Sequence, residues 1–163
     1  MKKSRLLPRG KTWREKLEDA GKDLPRFERI EGTLRDKWGR GTMVIPAPKE
    51  VDAMMKRIPR GKVITINGLR KALAKKHKVT IGCPITTGIF AWISAYAADE
   101  AARKGSTRVT PYWRTLKAGG ELNLKYPGGL NGLKKKLEAE GIPVVQKRKR
   151  WVVADYEERM AKL

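Results

Sequence analysis

The chain has 163 residues, 40% of them hydrophobic, which is enough for one domain with a modest core. It carries 38 Lys and Arg against 17 Asp and Glu, a net charge of +21. An excess of this size predicts a polyanionic partner, and nucleic acid comes before an anionic membrane or an acidic protein. The alternative is a very soluble thermophile or ribosome-associated protein. One cysteine and one histidine exclude an intramolecular disulfide and a zinc site of soft ligands, and we expect no metal and no other cofactor.

Neither a signal peptide nor a membrane helix is expected. The first residues are basic, but the apolar run among them is too short for a signal peptide. No apolar stretch approaches the roughly 20 residues that a membrane helix needs. The sequence therefore indicates a cytoplasmic, nucleoid-associated protein without a membrane partner.

Residues 1–42 are predicted to form a basic N-terminal extension. Thr12 and Glu15 have the spacing of a capping box, which predicts a short helix over residues 12–20. The remainder of the extension is expected to be extended, and two arrangements stay open. It folds back on the domain or along DNA, or it is a loosely held arm.

Residues 43–146 are predicted to form the main domain. It begins with a strand over residues 43–48, ended by two prolines, and continues with a helix from about Lys49. One stripe of that helix is apolar and is expected to be buried, comprising Val51, Met54, Met55 and Ile58.

A strand rich in β-branched residues is predicted over residues 62–66, followed by a helix capped by Asn67. Nine basic residues and no acidic one lie between Lys56 and Thr80. A solvated face usually mixes charge signs, so this run indicates a surface that contacts phosphate. His77 is assigned to the same surface.

The longest helix is predicted over residues 86–104. Its apolar stripe, expected to face the core, comprises Ile89, Trp92, Ile93, Tyr96 and Ala97. The other face carries small residues, namely Thr87, Gly88, Ala91 and Ala95. Small side chains let a helix approach the wall of a DNA groove or a neighbouring helix, and periodicity leaves both possibilities open. Two helices joined by a short turn, the second with an exposed start, form a helix-turn-helix arrangement.

Three leucines mark a last core helix, namely Leu130, Leu133 and Leu137. Gly141 ends that helix, and a β-hairpin follows over residues 142–153. The turn of the hairpin is entirely basic, comprising Lys147, Arg148, Lys149 and Arg150. A basic tip suits a wing that contacts phosphate. Residues 147–163 are accordingly assigned to a basic hairpin and C-terminal tail, with a short helix after Asp155.

Several short motifs occur in a fixed order along the chain. They are Ile-Pro-Arg-Gly-Lys-Val at 58–63, Gly-Cys-Pro at 82–84, Pro-Tyr-Trp-Arg at 111–114, Tyr-Pro-Gly-Gly-Leu at 126–130 and Glu-Gly at 140–141. Over residues 46–142 this order resembles the DNA-binding domain of the alkylguanine-DNA alkyltransferases. Those repair proteins carry Pro-Cys-His-Arg where this chain has Pro-Tyr-Trp-Arg, so the chain looks like a member of the cysteine-less alkyltransferase-like group.

The resemblance implies an α+β, mainly helical fold, with a winged helix-turn-helix-like DNA-binding domain of the alkyltransferase type and a small β-hairpin. It implies a protein that binds double-stranded DNA in the minor groove and holds damaged bases for excision-repair proteins. We also expect a monomer.

The resemblance places five residues at the lesion pocket, namely Tyr112, Trp113, Arg114, Tyr126 and Glu140. Tyr112 stands at the position of the nucleophile and Trp113 at that of the histidine that activates it. Glu140 matches the carboxylate that orients this histidine. The family's arginine that fills the vacated base-pair space is Gly88 here, and the tyrosine that rotates the phosphate is Ile66. Both losses leave base flipping open.

The residues expected to contact DNA lie on the helix-turn-helix, the turn before it and the wing. They are Arg60, Lys62, Asn67, Arg70, Lys71, Thr86, Thr87, Gly88, Ala91, Lys147, Arg148, Lys149 and Arg150.

No catalytic residue is predicted. A tyrosine hydroxyl has a pKa of about 10, so about one part in a thousand of Tyr112 would be ionised at neutral pH. Trp113 offers a donor and a stacking face but no proton transfer. Cys83 precedes a helix and is interpreted as a small buried side chain in preference to a displaced nucleophile. Tyr112 and Trp113 either stack against a base, at about 1–3 kcal/mol per base, or fill an abandoned active site.

Three functions follow from these residues. The first is a non-catalytic protein that binds alkylated or damaged bases in duplex DNA. The second is a DNA glycosylase or related hydrolase, in which Glu140 or Asp99 activates water. The third is an architectural or regulatory DNA binder without lesion specificity. Gly88 and Ile66, in place of the family's arginine and tyrosine, favour this function.

Overall fold

The computed structural model describes residues 11–19 and 23–163. Its helices are α1 (Trp13–Asp19), α2 (Thr33–Trp38), α3 (Pro48–Lys56), α4 (Ile66–His77), α5 (Thr86–Arg103) and α6 (Gly129–Glu138). Its strands are β1 (Arg26–Arg29), β2 (Thr42–Ile45), β3 (Ile64–Thr65), β4 (Ile81–Gly82), β5 (Thr115–Leu116), β6 (Val144–Lys147) and β7 (Arg150–Val153). The predicted mixture of helices with small sheets is confirmed. Within the described ranges, no helix combines the length and apolar character needed to cross a membrane.

The strands form three small sheets in the described part of the chain. β2 lies in the middle of the first, antiparallel to β1 and parallel to β4. β3 pairs in parallel with β5, and β6 pairs with β7 as an antiparallel hairpin. Both predicted segment boundaries, after residues 42 and 146, fall inside hydrogen-bonded strands, β2 and β6.

The apolar stripe of α3 faces the main core, as its spacing predicts. Val51, Met55 and Ile58 are fully buried and Met54 is 5% exposed. They pack in one cluster with leucines of α4 and α6. Burial of each such side chain contributes about 1.5–3 kcal/mol, so this cluster holds the helices together.

The start of α4 differs from the prediction. The hydroxyl of Thr65 accepts a hydrogen bond from the Gly68 amide at 3.1 Å and caps the helix. Asn67, the predicted cap, lies inside the first turn, and the predicted strand over 62–66 shrinks to β3. Ile66 therefore begins the helix, because the Thr65 hydroxyl already satisfies a free amide of the first turn.

The orientation of α5 is the largest correction. Its small residues Thr87, Ala91 and Ala95 are completely buried, whereas Ile89, predicted to face the core, is 48% exposed. The small face packs against the core, where α3 crosses α5. Small side chains allow two helix backbones to approach closely, which favours this face in the core. Ile93 and Ala97 of the predicted stripe are also buried, against Trp13 and Leu17 of α1.

The described part of the N-terminal extension is folded back on the domain. Thr12 and Glu15 form the predicted capping box, with reciprocal hydrogen bonds of 3.1 and 2.9 Å. Trp13 packs its ring against Trp92 and Tyr96 of α5, at centroid distances of 5.0 and 4.8 Å. The segment predicted to be extended contains β1 and α2. Ala20, the predicted last residue of the first helix, lies outside the described residues.

The predicted hairpin is confirmed, with Val144 opposite Val153 and Lys147 opposite Arg150. The predicted helix after Asp155 is a short 3₁₀ turn over Tyr156–Arg159. Beyond it the chain pairs with Val63, whose carbonyl accepts from the Ala161 amide at 2.8 Å. The C-terminal tail is thereby joined to the turn before β3.

Replacing Trp13 by Ala should destabilise the attachment of α1, because it removes the aromatic ring that packs on α5. A cost of about 3 kcal/mol is expected for such a truncation. Amides of α1 should then exchange faster with deuterium while those of α4 keep their protection. The control is Arg14→Ala, at a solvent-exposed side chain of the same helix. Equal protection of α1 in both variants would contradict this account.

Candidate functional site

Glu140 lies at the centre of a hydrogen-bond network that joins three separated segments. Its side chain is 3% exposed. Arg114 donates to both carboxylate oxygens, from Nε to Oε1 at 2.9 Å and from Nη2 to Oε2 at 3.0 Å. Trp113 Nε1 donates to Oε2 at 2.5 Å, and the Gly61 amide donates to Oε1 at 2.9 Å. Paired, charge-assisted hydrogen bonds of this kind are among the strongest in proteins.

Local backbone geometry brings these groups together. Gly61 has a φ of 83°, a conformation that favours glycine, and this turns its amide toward Glu140. Gly141, with a φ of 76°, redirects the chain after α6. The Arg114 guanidinium also donates from Nη1 to the Ile58 carbonyl at 2.7 Å. One arginine thus connects the Pro-Tyr-Trp-Arg turn to both the end of α6 and the segment after α3.

Tyr112 and Tyr126 are core residues. They are 3% and 4% exposed, and their rings meet edge to face with centroids 6.1 Å apart. Burial, with a smaller contribution from the charge of Asp99, raises the pKa of Tyr112 to about 12. Burial also raises the pKa of Tyr126. At neutral pH both hydroxyls are therefore protonated, which makes each a poor nucleophile.

Trp113 is half-buried and packs with Tyr112 and Tyr126 in one aromatic cluster. The Lys136 ammonium lies 4.8 Å and the Arg114 guanidinium carbon 5.5 Å from its ring centroid. The edge of Tyr112 adds a third contact at 5.3 Å. Cation–π contacts of this kind fix the ring plane and leave it beside a positive surface. All five residues predicted for the lesion pocket are thus brought together.

The hydrogen bonds and ion pairs of the two carboxylates, Glu140 and Asp99, limit the acid–base chemistry of this site. Burial by itself raises the pKa of the Glu140 carboxyl, but hydrogen bonds from Arg114, the Gly61 amide and Trp113 outweigh it, so the pKa is lowered. A carboxylate held ionised by several donors is a weak general base. Asp99 is paired with Arg103, Oδ2 to Nε at 2.9 Å. The arrangement suits orientation of side chains better than activation of water.

Of the predicted DNA-contacting residues on α4, Lys71 is exposed, but Arg70 is half-buried. Arg70 donates from Nη1 to Asn67 Oδ1 at 2.7 Å and from Nη2 to the Pro84 carbonyl at 2.6 Å. Its guanidinium therefore joins α4 to the start of α5. The two helices are held in a fixed relation by this contact.

The prediction of DNA contacts through Thr87 and Ala91 is wrong, because both side chains are completely buried. Thr86 and Gly88 are half-buried at the start of the same helix. A Cβ added to Gly88 would meet no atom within 4 Å, so this position faces open space. Of the small residues on α5, Thr87, Ala91 and Ala95 thus face the core, and Gly88 faces outward.

The remaining predicted contacts are exposed. Arg60 donates from Nη2 to the Ala139 carbonyl at 2.9 Å, beside the Glu140 network, and Lys62 follows it. The wing tip carries the four exposed basic residues Lys147, Arg148, Lys149 and Arg150. Arg150 approaches Glu121, with 4.0 Å between Nε and Oε2.

His77 and Cys83 have structural environments. His77, predicted to lie on the phosphate-contacting surface, is 15% exposed and is hydrogen-bonded to Glu50, with 2.5 Å between Nε2 and Oε1. Cys83 is buried, and its Sγ accepts from the Thr86 amide at 3.5 Å. Over the residues that the structure describes, no group of three His, Cys, Asp or Glu side chains is placed to hold a metal ion.

Sequence reasoning missed three exposed apolar side chains near this site. Ile85 is 62%, Ile89 48% and Leu124 49% exposed. The available signal was the small-residue face of α5, since burying that face turns Ile85 and Ile89 outward.

A cavity of about 420 Å³ beside α4 was also missed. It lies between Trp38 of α2 and the side chains of Asn67, Arg70 and Lys71. The N-terminal extension therefore adds an aromatic wall to the basic surface of α4.

Comparison with known proteins places the fold. No family model matches the chain, and no curated protein matches it. Among solved structures, the chain is similar to S. pombe ATL in complex with DNA, with 20% identity, a TM-score of 0.53, and coverage of 71% of this chain and 94% of that chain. S. pombe Atl1 in complex with damaged DNA containing O6-carboxymethylguanine matches with 17% identity and a TM-score of 0.46 over the same shares. The first match shows that this chain shares the fold of an alkyltransferase-like protein.

Replacing Glu140 by Gln should destabilise the fold by about 3 kcal/mol at neutral pH, because it leaves Arg114 without its ionised partner in a buried site. Urea denaturation measures the difference. The control is Glu138→Gln, at an exposed position of α6, which should change stability little.

The stability of the wild type and that of the Glu140→Gln variant should depend differently on pH. The pKa of Glu140 is lowered in the folded state, so its contribution to stability is present above its unfolded pKa, about 4.3, and is lost as the pH falls through the folded value. The stability gap between the wild type and Glu140→Gln should therefore narrow below about pH 4. A gap independent of pH would contradict the ionised network.

Proposed function

We propose that this protein binds duplex DNA without catalysing a reaction and that it recognises alkylated or otherwise damaged bases. The observation that carries the proposal is a fold shared with S. pombe ATL, a protein solved in complex with DNA. By the motif resemblance, Tyr112 stands where the alkyltransferases carry their cysteine, and here its hydroxyl is buried and protonated. The positive charge of the chain supplies the attraction to the phosphate backbone.

The proposed interface consists of α4 and α5 as a helix-turn-helix and the β6–β7 hairpin as its wing. Arg70 fixes the two helices through the Pro84 carbonyl. Lys71 and the basic tip at residues 147–150 are exposed for phosphate contacts. Docking in the minor groove as a monomer, in the cytoplasm, belongs to the same proposal, as does presentation of the lesion to excision-repair proteins.

The aromatic cluster supports recognition of a base without transfer of its alkyl group. Trp113 is half-buried beside Lys136 and offers an aromatic surface next to positive charge. Tyr112 lies behind it as a fixed wall. The Glu140 carboxylate is made less basic by the donors that occupy its oxygens, and the Tyr112 phenol stays protonated. Both features weigh against the glycosylase alternative.

Burial of Tyr112 and Tyr126 also favours a second candidate, an architectural DNA binder without lesion specificity. Both rings fill the core, so a base could stack on them only after they part. This candidate uses the basic surface alone.

Side-by-side titrations with a duplex containing O6-methylguanine and an undamaged duplex separate the two candidates. Tighter binding of the damaged duplex, with the difference lost in Trp113→Ala, is expected for lesion recognition, because stacking contributes about 1–3 kcal/mol per base. Thermal denaturation should show that Trp113→Ala is folded. Equal affinities would leave the architectural function, and a mass gain of one methyl group after incubation would refute the non-catalytic assignment.

Removing Arg148 and Lys149 together should weaken binding to damaged and undamaged duplexes alike. The slope of log affinity against log salt should decrease by about 2, since each phosphate contact contributes about 1. The matched control is Lys104→Ala with Arg108→Ala, two exposed cations after the far end of α5. An unchanged slope in the wing variant would show that the hairpin does not contact phosphate.

A further inference from the structure

The exposed face of α5 presents an apolar edge. Ile85, Gly88, Ile89 and Trp92 are spaced as i, i+3, i+4 and i+7 and therefore lie on one side of the helix. Ile85 is 62% and Ile89 48% exposed, and an added Cβ at Gly88 meets nothing. Two branched apolar side chains, one helical turn apart, thus stand beside a glycine at the start of the helix.

A third apolar side chain belongs to the same neighbourhood. The Lys125 carbonyl accepts hydrogen bonds from Trp92 Nε1 at 3.2 Å and from the Tyr96 hydroxyl at 3.1 Å. The segment before Tyr126 is therefore held beside α5, and Leu124 in it is 49% exposed. Among the described residues, five large apolar side chains are exposed, and three of them belong to these two adjoining segments.

The charge around this edge indicates what covers it. No Asp or Glu occurs between residues 53 and 98, so α4 and most of α5 bear no negative side chain. A second copy of the chain would bring a net charge of +21 against an equal charge, and this repulsion opposes self-association. Duplex DNA satisfies both features, because its phosphates attract the cations while its stacked bases accept apolar side chains inserted from the minor groove.

We propose that Ile85 and Ile89 form an apolar wedge that enters a base-pair step of the bound duplex from the minor groove. The proposal rests on the DNA binding proposed above and adds the residues that deform the duplex. The wedge separates two stacked base pairs, and Gly88, beside the two isoleucines, lets the helix backbone approach the groove.

An inserted aliphatic side chain and an inserted cation contribute differently to the binding free energy. It fills the gap between bases by dispersion and burial, and its contribution depends little on salt. The affinity of the complex is carried by phosphate contacts, which the wedge does not make. Removing the wedge should therefore change the shape of the bound DNA much more than the affinity.

The test uses the full-length chain and a short duplex with 2-aminopurine next to one O6-methylguanine. Fluorescence of 2-aminopurine rises when the base is unstacked, and anisotropy of an end label reports binding. The wild type should bind and raise the fluorescence. Ile85→Ala with Ile89→Ala should bind within about fivefold, with an unchanged salt slope, but without the rise. Ile85→Ala with Ile89→Met, which restores one large apolar side chain, should recover part of the fluorescence rise.

Phe27→Ala is the matched control, since Phe27 is 51% exposed on β1 and should leave both signals unchanged. A fluorescence rise that persists in the double alanine variant would overturn the wedge. Binding by the wild type without any rise would also overturn it while leaving the proposed DNA binding intact. Failure of the wild type to bind the duplex would remove both proposals. A dimer in sedimentation, dissociated by the double substitution, would assign this face to a second copy and refute the wedge.

Discussion

The buried carboxylate of Glu140 organises the site on which the rest depends. It receives hydrogen bonds from Gly61 and from the adjacent residues Trp113 and Arg114, so three segments far apart in sequence meet at this carboxylate. A buried ionised group is costly unless its lone pairs are satisfied, so these segments must meet in one geometry for the carboxylate to remain charged. Arg114 extends the constraint to the Ile58 carbonyl. The aromatic cluster, the turn after α3 and the end of α6 are consequently fixed together.

This interaction also limits the chemistry. The donors that stabilise the Glu140 carboxylate occupy the lone pairs that a general base would use. Burial keeps the hydroxyl of Tyr112 protonated, so the two groups most suited to a reaction are both held in unreactive states. What remains is a rigid surface with an aromatic ring, Trp113, next to exposed positive charge. This is the surface at which we propose that a base of the DNA is recognised.

The two faces of α5 explain how the proposed binding surface is presented. The face formed by Thr87, Ala91 and Ala95 lets the helix pass close to its neighbours in the core. Because that face is inside, the larger residues Ile85 and Ile89 are outside, on the leading edge of the helix. Trp13 packs on Trp92 and Tyr96 in the middle of the same helix. One helix therefore serves packing, anchoring of the extension and the proposed DNA contact.

The sequence by itself determined the positive charge, the buried stripe of α3, the capping box at Thr12 and the basic hairpin, because each depends on local spacing or on composition. The motif order also indicated a fold that the structural comparison supports. Only the tertiary structure decided which face of α5 is buried, since its small and large faces compete and the neighbouring helix selects between them. It likewise decided that Arg70 bonds to Pro84 and that Tyr112 is buried. Those outcomes depend on contacts between distant segments, which local periodicity does not record.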